Sequence, residues 1–341
     1  MSTANNILPV HGGCLHQAAQ QFCIPIQNWV DLSTGLNPHS YPLPEVPQEI
    51  WQKLPDTDDN LLSAAAAYYG SVHLLAVAGS QAAIEILPKL RAHSRVGILS
   101  PAYAEYAYQW RVQGHDVKEL SVDELDTQIA HLDVVIVIRP NNPTTEFLSR
   151  TQLKHWLNLL QQNNGWLVID EAFIDALPSS EESSLITQNP VSGLIVLRSI
   201  GKFFGLAGIR LGFVWAEPAL LSVLAQHQTT WSVSSVARWA GGIALQDGTW
   251  QLLMRQRLAQ EGQQLCALLR KYDFEYVSTP LFCTITLPTT LRKTDFCIYE
   301  YFAKRGILIR NFKHLQVFRL GLPKNDMAWQ QLEKALSELN R

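Results

Sequence analysis

The sequence predicts an α/β protein: a large domain built on a mostly parallel sheet with helices on both faces, and a smaller α+β domain. Three observations predict it. Apolar runs of strand length alternate with helical patterns from about residue 70 to about residue 215. After one long helical stretch, Trp250 to Tyr272, the composition shifts to short strands. Between two apolar runs, Gly193–Leu197 and Leu211–Trp215, lies a turn rich in glycine and aromatics that carries Lys202. The resulting division is an N-terminal arm over 1–45 that belongs partly with the small domain, a large domain over 46–248 and a small domain over 249–341.

Taken in order, residues 1–45 read as irregular. They contain His11-Gly12-Gly13 and Asp31-Leu32-Ser33-Thr34-Gly35-Leu36-Asn37-Pro38, whose turn formers mark a loop. Such a stretch fits an arm packed on a partner or a substrate loop. Leu61 to Tyr69 is helical, with Ala64 to Ala67 as strong helix formers. His73 to Leu87 reads as a strand, a Gly79-Ser80 turn and a helix that Ser80 caps; the first amides of such a helix bind anions. A short strand, Val96 to Ser100, ends at Pro101-Ala102-Tyr103, and a helix over 104–113 follows. Val134 to Ile138 is a continuous β-branched run, as in a strand buried on both faces. It leads into Arg139-Pro140-Asn141-Asn142-Pro143-Thr144-Thr145 and a helix over 151–162 capped by Ser149 or Thr151. Trp166 to Ile169 is a further buried strand, ending in Asp170-Glu171-Ala172-Phe173.

From Ala219 to Tyr272 the pattern is helical, broken near Thr230–Ser234 and at Asp247-Gly248; the last helix is a spine between two lobes. Strands at 275–277, 283–287, 306–310 and 317–320, with helices over 294–304 and 325–339, form the small domain.

Composition limits the function classes. With 341 residues, 47% of them hydrophobic and 17% charged, the chain is an ordinary globular protein with a sizeable core. A net charge of −3 gives no electrostatic case for nucleic acid or a membrane surface. Cys14, Cys23, Cys266, Cys283 and Cys297 are odd in number and scattered, without zinc spacing, so thiols in a reducing cytoplasm are expected and no metal site. No signal peptide and no membrane-spanning run is read.

In a parallel sheet, ligands sit beyond the carboxyl ends of the strands. Here those ends carry Ser80 and Gln81, Tyr103, Asn142, Asp170, and Ser199 with Lys202. A desolvated lysine amine is nucleophilic near neutral pH and condenses with carbonyls. Ser199 and Arg210 can hold a phosphate beside it. A pyridine aldehyde phosphate needs such a set: an amine, an anion for the ring nitrogen, a donor for the phenolate oxygen, a stacking face and a phosphate cup. Taken singly the residues have plainer readings. A lysine beside a strand can be a solvated charge, Tyr103 a core aromatic, Arg319 an edge charge and His11 a surface histidine. Asp170, after four apolar residues, is harder to dismiss, because a buried carboxylate needs a cationic partner.

Asn141-Asn142-Pro143-Thr144, Asp170-Glu171-Ala172-Phe173 and Ser199-Ile200-Gly201-Lys202 with Arg210-Leu211-Gly212 resemble, in order and spacing over nearly the whole chain, the fold-type I pyridoxal-phosphate enzymes of the aspartate aminotransferase family. The His11-Gly12-Gly13 and 31–38 motifs, Trp231-Ser232-Val233 and Ile307-Leu308-Ile309-Arg310 resemble the branch that decarboxylates O-phospho-L-threonine in cobalamin biosynthesis, next to the histidinol-phosphate aminotransferases.

The resemblance implies pyridoxal 5'-phosphate as cofactor, a cytoplasmic homodimer and a small phosphorylated amino acid as substrate. It implies Lys202 as the Schiff-base lysine, Asp170 on the ring nitrogen, Asn142 on the phenolate oxygen and Tyr103 stacked on the ring. Ser80, Gln81, Ser199 and Arg210 would hold the cofactor phosphate. Arg319 would grip the substrate carboxylate, with Arg310 and Asn37 nearby, and His11 would meet the substrate phosphate. The alternatives are an aminotransferase of the histidinol-phosphate type and, from another class, a non-catalytic regulator or partner subunit; the short, weakly charged arm and the presence of Lys202 count against the latter. The chain departs from the family at four places. Phe173 replaces a tyrosine that bonds the phenolate oxygen, and Thr145 replaces a glycine. Ser80-Gln81 stands for a glycine and an acidic residue, and Leu54-Pro55-Asp56 lacks a tyrosine that crosses the dimer to the phosphate.

Overall fold

The structure, a computed structural model, describes residues 12–178, 183–292 and 297–339. It divides into two compact units, one built on Tyr41–Asp175 and Ser179–Leu252, the other on Val10–Ser40, Ala176–Pro178 and Leu253–Arg341.

Among the described residues, the second unit begins with the helix Leu15–Phe22 and the short strand β1 (Val30–Asp31). The stretch read as irregular is thus partly regular. That helix lacks a side-chain N-cap bond and any acidic residue in its first turn, so it carries no start signal in the sequence. Packing decides it instead: Ala18 is buried with Trp29, Ala303 and Leu308, and Leu15, Ala19 and Phe22 pack around them.

The first unit holds a seven-stranded sheet of β2 (Leu74–Val77), β3 (Arg95–Leu99), β4 (Asp116–Leu120), β5 (Val134–Ile138), β6 (Trp166–Asp170), β7 (Leu194–Ser199) and β8 (Gly212–Trp215). Their spatial order is β2-β8-β7-β6-β5-β3-β4. All neighbours are parallel except β8, which runs antiparallel to both β2 and β7. Every residue of β5 and β7 is buried, as the unbroken apolar runs require. Val134, Ile136, Val168, Ile195 and Val214 share one core with Ile84, Tyr106 and Trp110 from the helices. Each such aliphatic side chain contributes about 1.5–3 kcal/mol on burial. Beyond the sheet, Pro218–Gln226, Ser235–Gln246 and Gly248–Lys271 are helical, and Ser234 Oγ caps the second by accepting the Ala237 N–H at 3.2 Å.

Two elements between residues 114 and 133 escape the sequence reading, β4 and the helix Val122–Gln128. β4 is an edge strand, Asp-Val-Lys-Glu-Leu, in which only Leu120 is buried, so it has no apolar run to find. The helix did carry a signal: Ser121 and Glu124 form a reciprocal capping box.

The second unit has a four-stranded antiparallel sheet in the order β12-β13-β10-β9: β9 (Tyr276–Thr279), β10 (Phe282–Thr286), β12 (Arg310–Phe312) and β13 (Val317–Gly321). β11 (Ile307–Leu308) pairs in parallel with β1. The helices Ile298–Ala303 and Asp326–Leu339 belong to this unit. Among the described residues, no helix is long and apolar enough to cross a membrane.

Candidate active site

The carboxyl ends of β2, β5, β6 and β7 meet at a cavity of about 150 Å³ in the first unit. Ser80, Gln81, Tyr103, Asn142, Asp170, Ser199, Lys202 and Arg210, eight of the residues predicted from the sequence, all line it. Register explains the convergence. On β8, Gly212 stands opposite Val77 of β2 on one side and Ser199 of β7 on the other. A Cβ on Gly212 would lie 2.7 Å from both the Ser80 nitrogen and the Arg198 oxygen. Glycine there lets the β2 turn and the β7 end close on the same strand.

The helix Ser80–Ile86 begins from Gly79, which is its N-cap with φ 73°, and no side chain caps it. Ser80 is therefore the first helical residue rather than the cap. A Cβ on Gly79 would stand 2.5 Å from Arg210 Nη2, so the guanidinium rests where any other residue would place a side chain. Arg210 itself has φ 55° and donates from Nη1 to the Ala207 carbonyl at 3.2 Å. Ser199 Oγ accepts the Gly201 N–H at 3.3 Å. Gln81 lines the cavity differently from expectation. Its amide nitrogen donates to Glu85 and Glu105, both at 3.1 Å, while its oxygen accepts the Tyr103 hydroxyl at 3.3 Å. Its backbone is what it has to offer an anion.

Asp170 ends β6 and is 4% exposed. Its Oδ2 accepts the Tyr106 hydroxyl at 2.8 Å and its Oδ1 the Ala172 N–H at 2.9 Å. Burial raises its pKa; the Tyr106 hydroxyl, the Ala172 amide and the Lys202 charge pull it down without cancelling that rise. Tyr106 stays protonated, since burial and the Asp170 charge push it well above its ordinary value. Lys202 Nζ sits 5.3 Å from the centre of the Phe173 ring, which has no hydroxyl to donate. Asn141, beside Asn142, is fully buried and donates to the Pro101 carbonyl at 2.9 Å and to Thr144 Oγ1 at 2.7 Å, tying this turn to the one that carries Tyr103.

Behind the cavity lies a charge network the sequence reading did not find. Glu171 accepts from Ser184 Oγ at 2.6 Å, the Leu185 N–H at 2.8 Å and Arg198 Nη1 at 3.1 Å. Arg198 also bonds Asp175 and lies over the Tyr69 ring at 4.5 Å. Burial works to lower the Arg198 pKa, but Asp175 and Glu171 together raise it. Glu171 follows Asp170 and Arg198 precedes Ser199, so the network fixes two site residues through their neighbours. The sequence signal was the pair of acids at 171 and 175, four apart, opposite one arginine.

The remaining predicted residues belong to the second unit, except His11, which lies outside the described residues. Arg310 and Arg319 stand opposite each other in the β12–β13 ladder. Arg319 is 5% exposed and donates from Nη2 to the Ser33 carbonyl at 2.6 Å. Burial and the neighbouring Arg310 lower its pKa, against the pull of Asp31. Gly35, with φ 61°, lies against the Arg319 guanidinium and Phe282. Asn37 is buried and accepts the His39 N–H at 2.8 Å. Gly13 N–H donates to Ser33 Oγ at 2.8 Å, and a Cβ on Gly12 would lie 2.7 Å from the Ser33 oxygen, so the two glycines let their segment reach the 31–37 loop.

The first-unit residues fit pyridoxal phosphate. Gly79 and Gly212 let the Ser80 turn, Ser199 and Arg210 close together at one corner of the cavity, and that donor set suits an anion. A carboxylate raised by burial gains from a cationic ring nitrogen, and the lysine shares its cavity.

Known proteins give the same picture. Aminotransferase class I and II is the family whose profile matches, over residues 28–334. A protein of Pseudomonas aeruginosa named threonine-phosphate decarboxylase is 43% identical over 327 residues, covering 96% of each chain. Two solved structures share the fold. One is a histidinol-phosphate aminotransferase from Sinorhizobium meliloti in complex with pyridoxal-5'-phosphate (TM-score 0.82, 19% identity, 100% and 97% of the chains covered). The other is an L-threonine-O-3-phosphate decarboxylase from Porphyromonas gingivalis (TM-score 0.72, 19% identity, 91% and 98% covered).

Proposed function

We propose a function from one premise: the chain belongs to the aminotransferase class I and II family. Within it, the chain is a pyridoxal-phosphate-dependent lyase that removes carbon dioxide from O-phospho-L-threonine, leaving 1-amino-2-propanol O-2-phosphate for cobalamin synthesis. The observation that carries this reading is the full-length identity to a protein named threonine-phosphate decarboxylase.

When bound, pyridoxal phosphate supplies an aldehyde for the substrate amine and a ring that draws off the electron pair left at Cα. Lys202 Nζ, which lines the cavity, would hold that aldehyde and is the amine placed to move a proton there. Asp170 keeps the ring nitrogen protonated, and Tyr106 keeps Asp170 ionised by donating to its Oδ2. Ser80, Ser199 and Arg210 hold the cofactor phosphate, Asn142 the phenolate oxygen, and Tyr103 the ring face. Since Phe173 cannot share the phenolate contact, Asn142 carries it alone. Arg319 and Arg310 would bind the substrate carboxylate, and His11 would meet the substrate phosphate.

A homodimer is part of this reading. In the first unit Trp51, Leu54 and Trp231 are 61%, 64% and 58% exposed, apolar side chains that a second chain would cover. Sedimentation at micromolar concentration should find two chains per particle; active monomer alone would remove the dimer from the proposal.

The enzyme is tested by mixing holoprotein with O-phospho-L-threonine and no keto acid. Many equivalents of carbon dioxide and of the amino alcohol phosphate are expected, with the visible spectrum sustained throughout. A single stoichiometric bleach, reversed by 2-oxoglutarate, would instead establish an aminotransferase.

A further inference from the structure

All five cysteines of the chain fall in the second unit, and two of them face each other. Cys266, near the end of the helix Gly248–Lys271, has its Sγ 3.9 Å from Sγ of Cys283, on β10. Cys266 is partly exposed and Cys283 is fully buried. Cys283 pairs with Ser278 of the edge strand β9, and Ile285 with Tyr276, so Ser278, Tyr276 and Cys283 share one face of the sheet.

We propose that Cys266 and Cys283 form a reversible oxidation site, in which Cys266 reacts with a hydroperoxide and Cys283 resolves the product into a disulfide between the helix Gly248–Lys271 and β10. Exposure assigns the roles. A small peroxide reaches Cys266 but not the buried Cys283. The surroundings favour the reactive form of Cys266: hydrogen bonds from Cys283, Ser278 and Tyr276, with the Arg270 charge, outweigh its partial burial and hold the thiol well below its ordinary range. The same hydrogen bond and its own burial push Cys283 up, so Cys283 is the thiol that donates. A reactive, accessible thiol next to a resolving partner is the arrangement of redox-sensing cysteines.

The steps balance. The Cys266 thiolate attacks the peroxide O–O bond; an S–O bond forms, the O–O bond breaks, and one peroxide oxygen leaves as water after taking up a proton. The sulfur is oxidised by two electrons to a sulfenic acid and the peroxide is reduced. Cys283 then attacks Cys266 Sγ; the S–S bond forms, the S–O bond breaks, and the Cys283 proton leaves with the departing hydroxide as a second water. A dithiol reductant returns both thiols. Closing the gap to a bond of about 2.05 Å asks for a shift of roughly 2 Å, within reach of side-chain rotation with a small movement of the helix end that carries Cys266.

The test treats the holoprotein with one equivalent of hydrogen peroxide, blocks remaining thiols with N-ethylmaleimide and maps the peptides without reductant. The expected product joins the Cys266 and Cys283 peptides, lighter by two hydrogens, and separates with dithiothreitol. In Cys283→Ser, dimedone should label Cys266 after the same treatment. Peroxide that oxidises Cys14, Cys23 or Cys297 first, or that carries Cys266 to a sulfinic acid while Cys283 remains open to alkylation after unfolding, would overturn the proposal. The wild-type map decides the matter even if the variant fails to fold.

Discussion

The Tyr106 hydroxyl donates to Oδ2 of Asp170 at 2.8 Å, and both side chains are buried. Burial raises the Asp170 pKa and this bond lowers it, so the bond is part of what keeps the carboxylate charged. Tyr106→Phe removes the lowering contribution. The Asp170 pKa then rises further, and more of it is protonated at a given acid pH. The acid limb of the kcat profile should therefore move to higher pH, with activity lost on its acid side and kept on the plateau. An unmoved limb would show that Tyr106 serves packing alone.

Asp170→Asn removes the charge proposed to hold a proton on the ring nitrogen, and the rate should fall by several orders of magnitude. Lys202→Ala should abolish turnover and with it any borohydride-fixed attachment of pyridoxal phosphate to the chain. Mass measurement of the reduced protein checks the second outcome, and attachment that survives would place the anchor at another lysine.

Most of this site was legible in the sequence because β5, β6 and β7 are buried on both faces. Val134–Ile138 and Leu194–Leu197 could be nothing but central strands, and polar residues just past such strands have few places to point. Asn142, Asp170, Ser199 and Lys202 followed from that. Tyr106 did not, because its partner is 64 residues away and nothing local separates it from a core aromatic. The turning of the Gln81 amide toward Glu105 depends on a contact across 24 residues and was hidden for the same reason. β4 was missed because edge strands need no apolar run, and the helix Leu15–Phe22 because its stability comes from packing rather than caps.

Arg198→Met leaves Glu171 and Asp175 buried without their main cation. Breaking such a pair from one side should lower unfolding free energy by about 3–5 kcal/mol. Chemical denaturation of the protein without cofactor is the measurement, and a loss below about 1 kcal/mol would mean that Arg139 and water compensate.

Thr145 has φ 61° and donates its N–H to the Asn141 carbonyl at 2.9 Å. A β-branched residue is strained there by about 1–2 kcal/mol, and glycine returns about half of the gain through its freedom in the unfolded chain. Thr145→Gly should therefore stabilise the protein by about 0.5–1 kcal/mol. A melting temperature that falls would show that the threonine side chain earns its place through contacts.

Arg319→Lys keeps the charge and loses the planar fork. If Arg319 takes the substrate carboxylate, KM for O-phospho-L-threonine should rise about tenfold or more while the bound cofactor spectrum stays the same. Equal kinetics would move the carboxylate to Arg310.

Gly212 has a consequence for how this chemistry could be moved between proteins. Ser199, Lys202 and Arg210 all lie on one antiparallel excursion, β7 out and β8 back, held by two lateral registers, β8 with β2 on one side and β7 with β6, which ends in Asp170, on the other. The segment is a cassette: grafted whole, it carries a lysine, a serine and an arginine in fixed relation, and it needs a receiving strand on each side, one ending in a glycine turn and the other in a carboxylate. The same economy makes it brittle. One inserted residue in β8 would shift its register against β2 or β7 and so move Ser199 and Arg210 relative to Ser80. Library design on this scaffold should therefore vary the helices freely and treat the length of β8 as fixed.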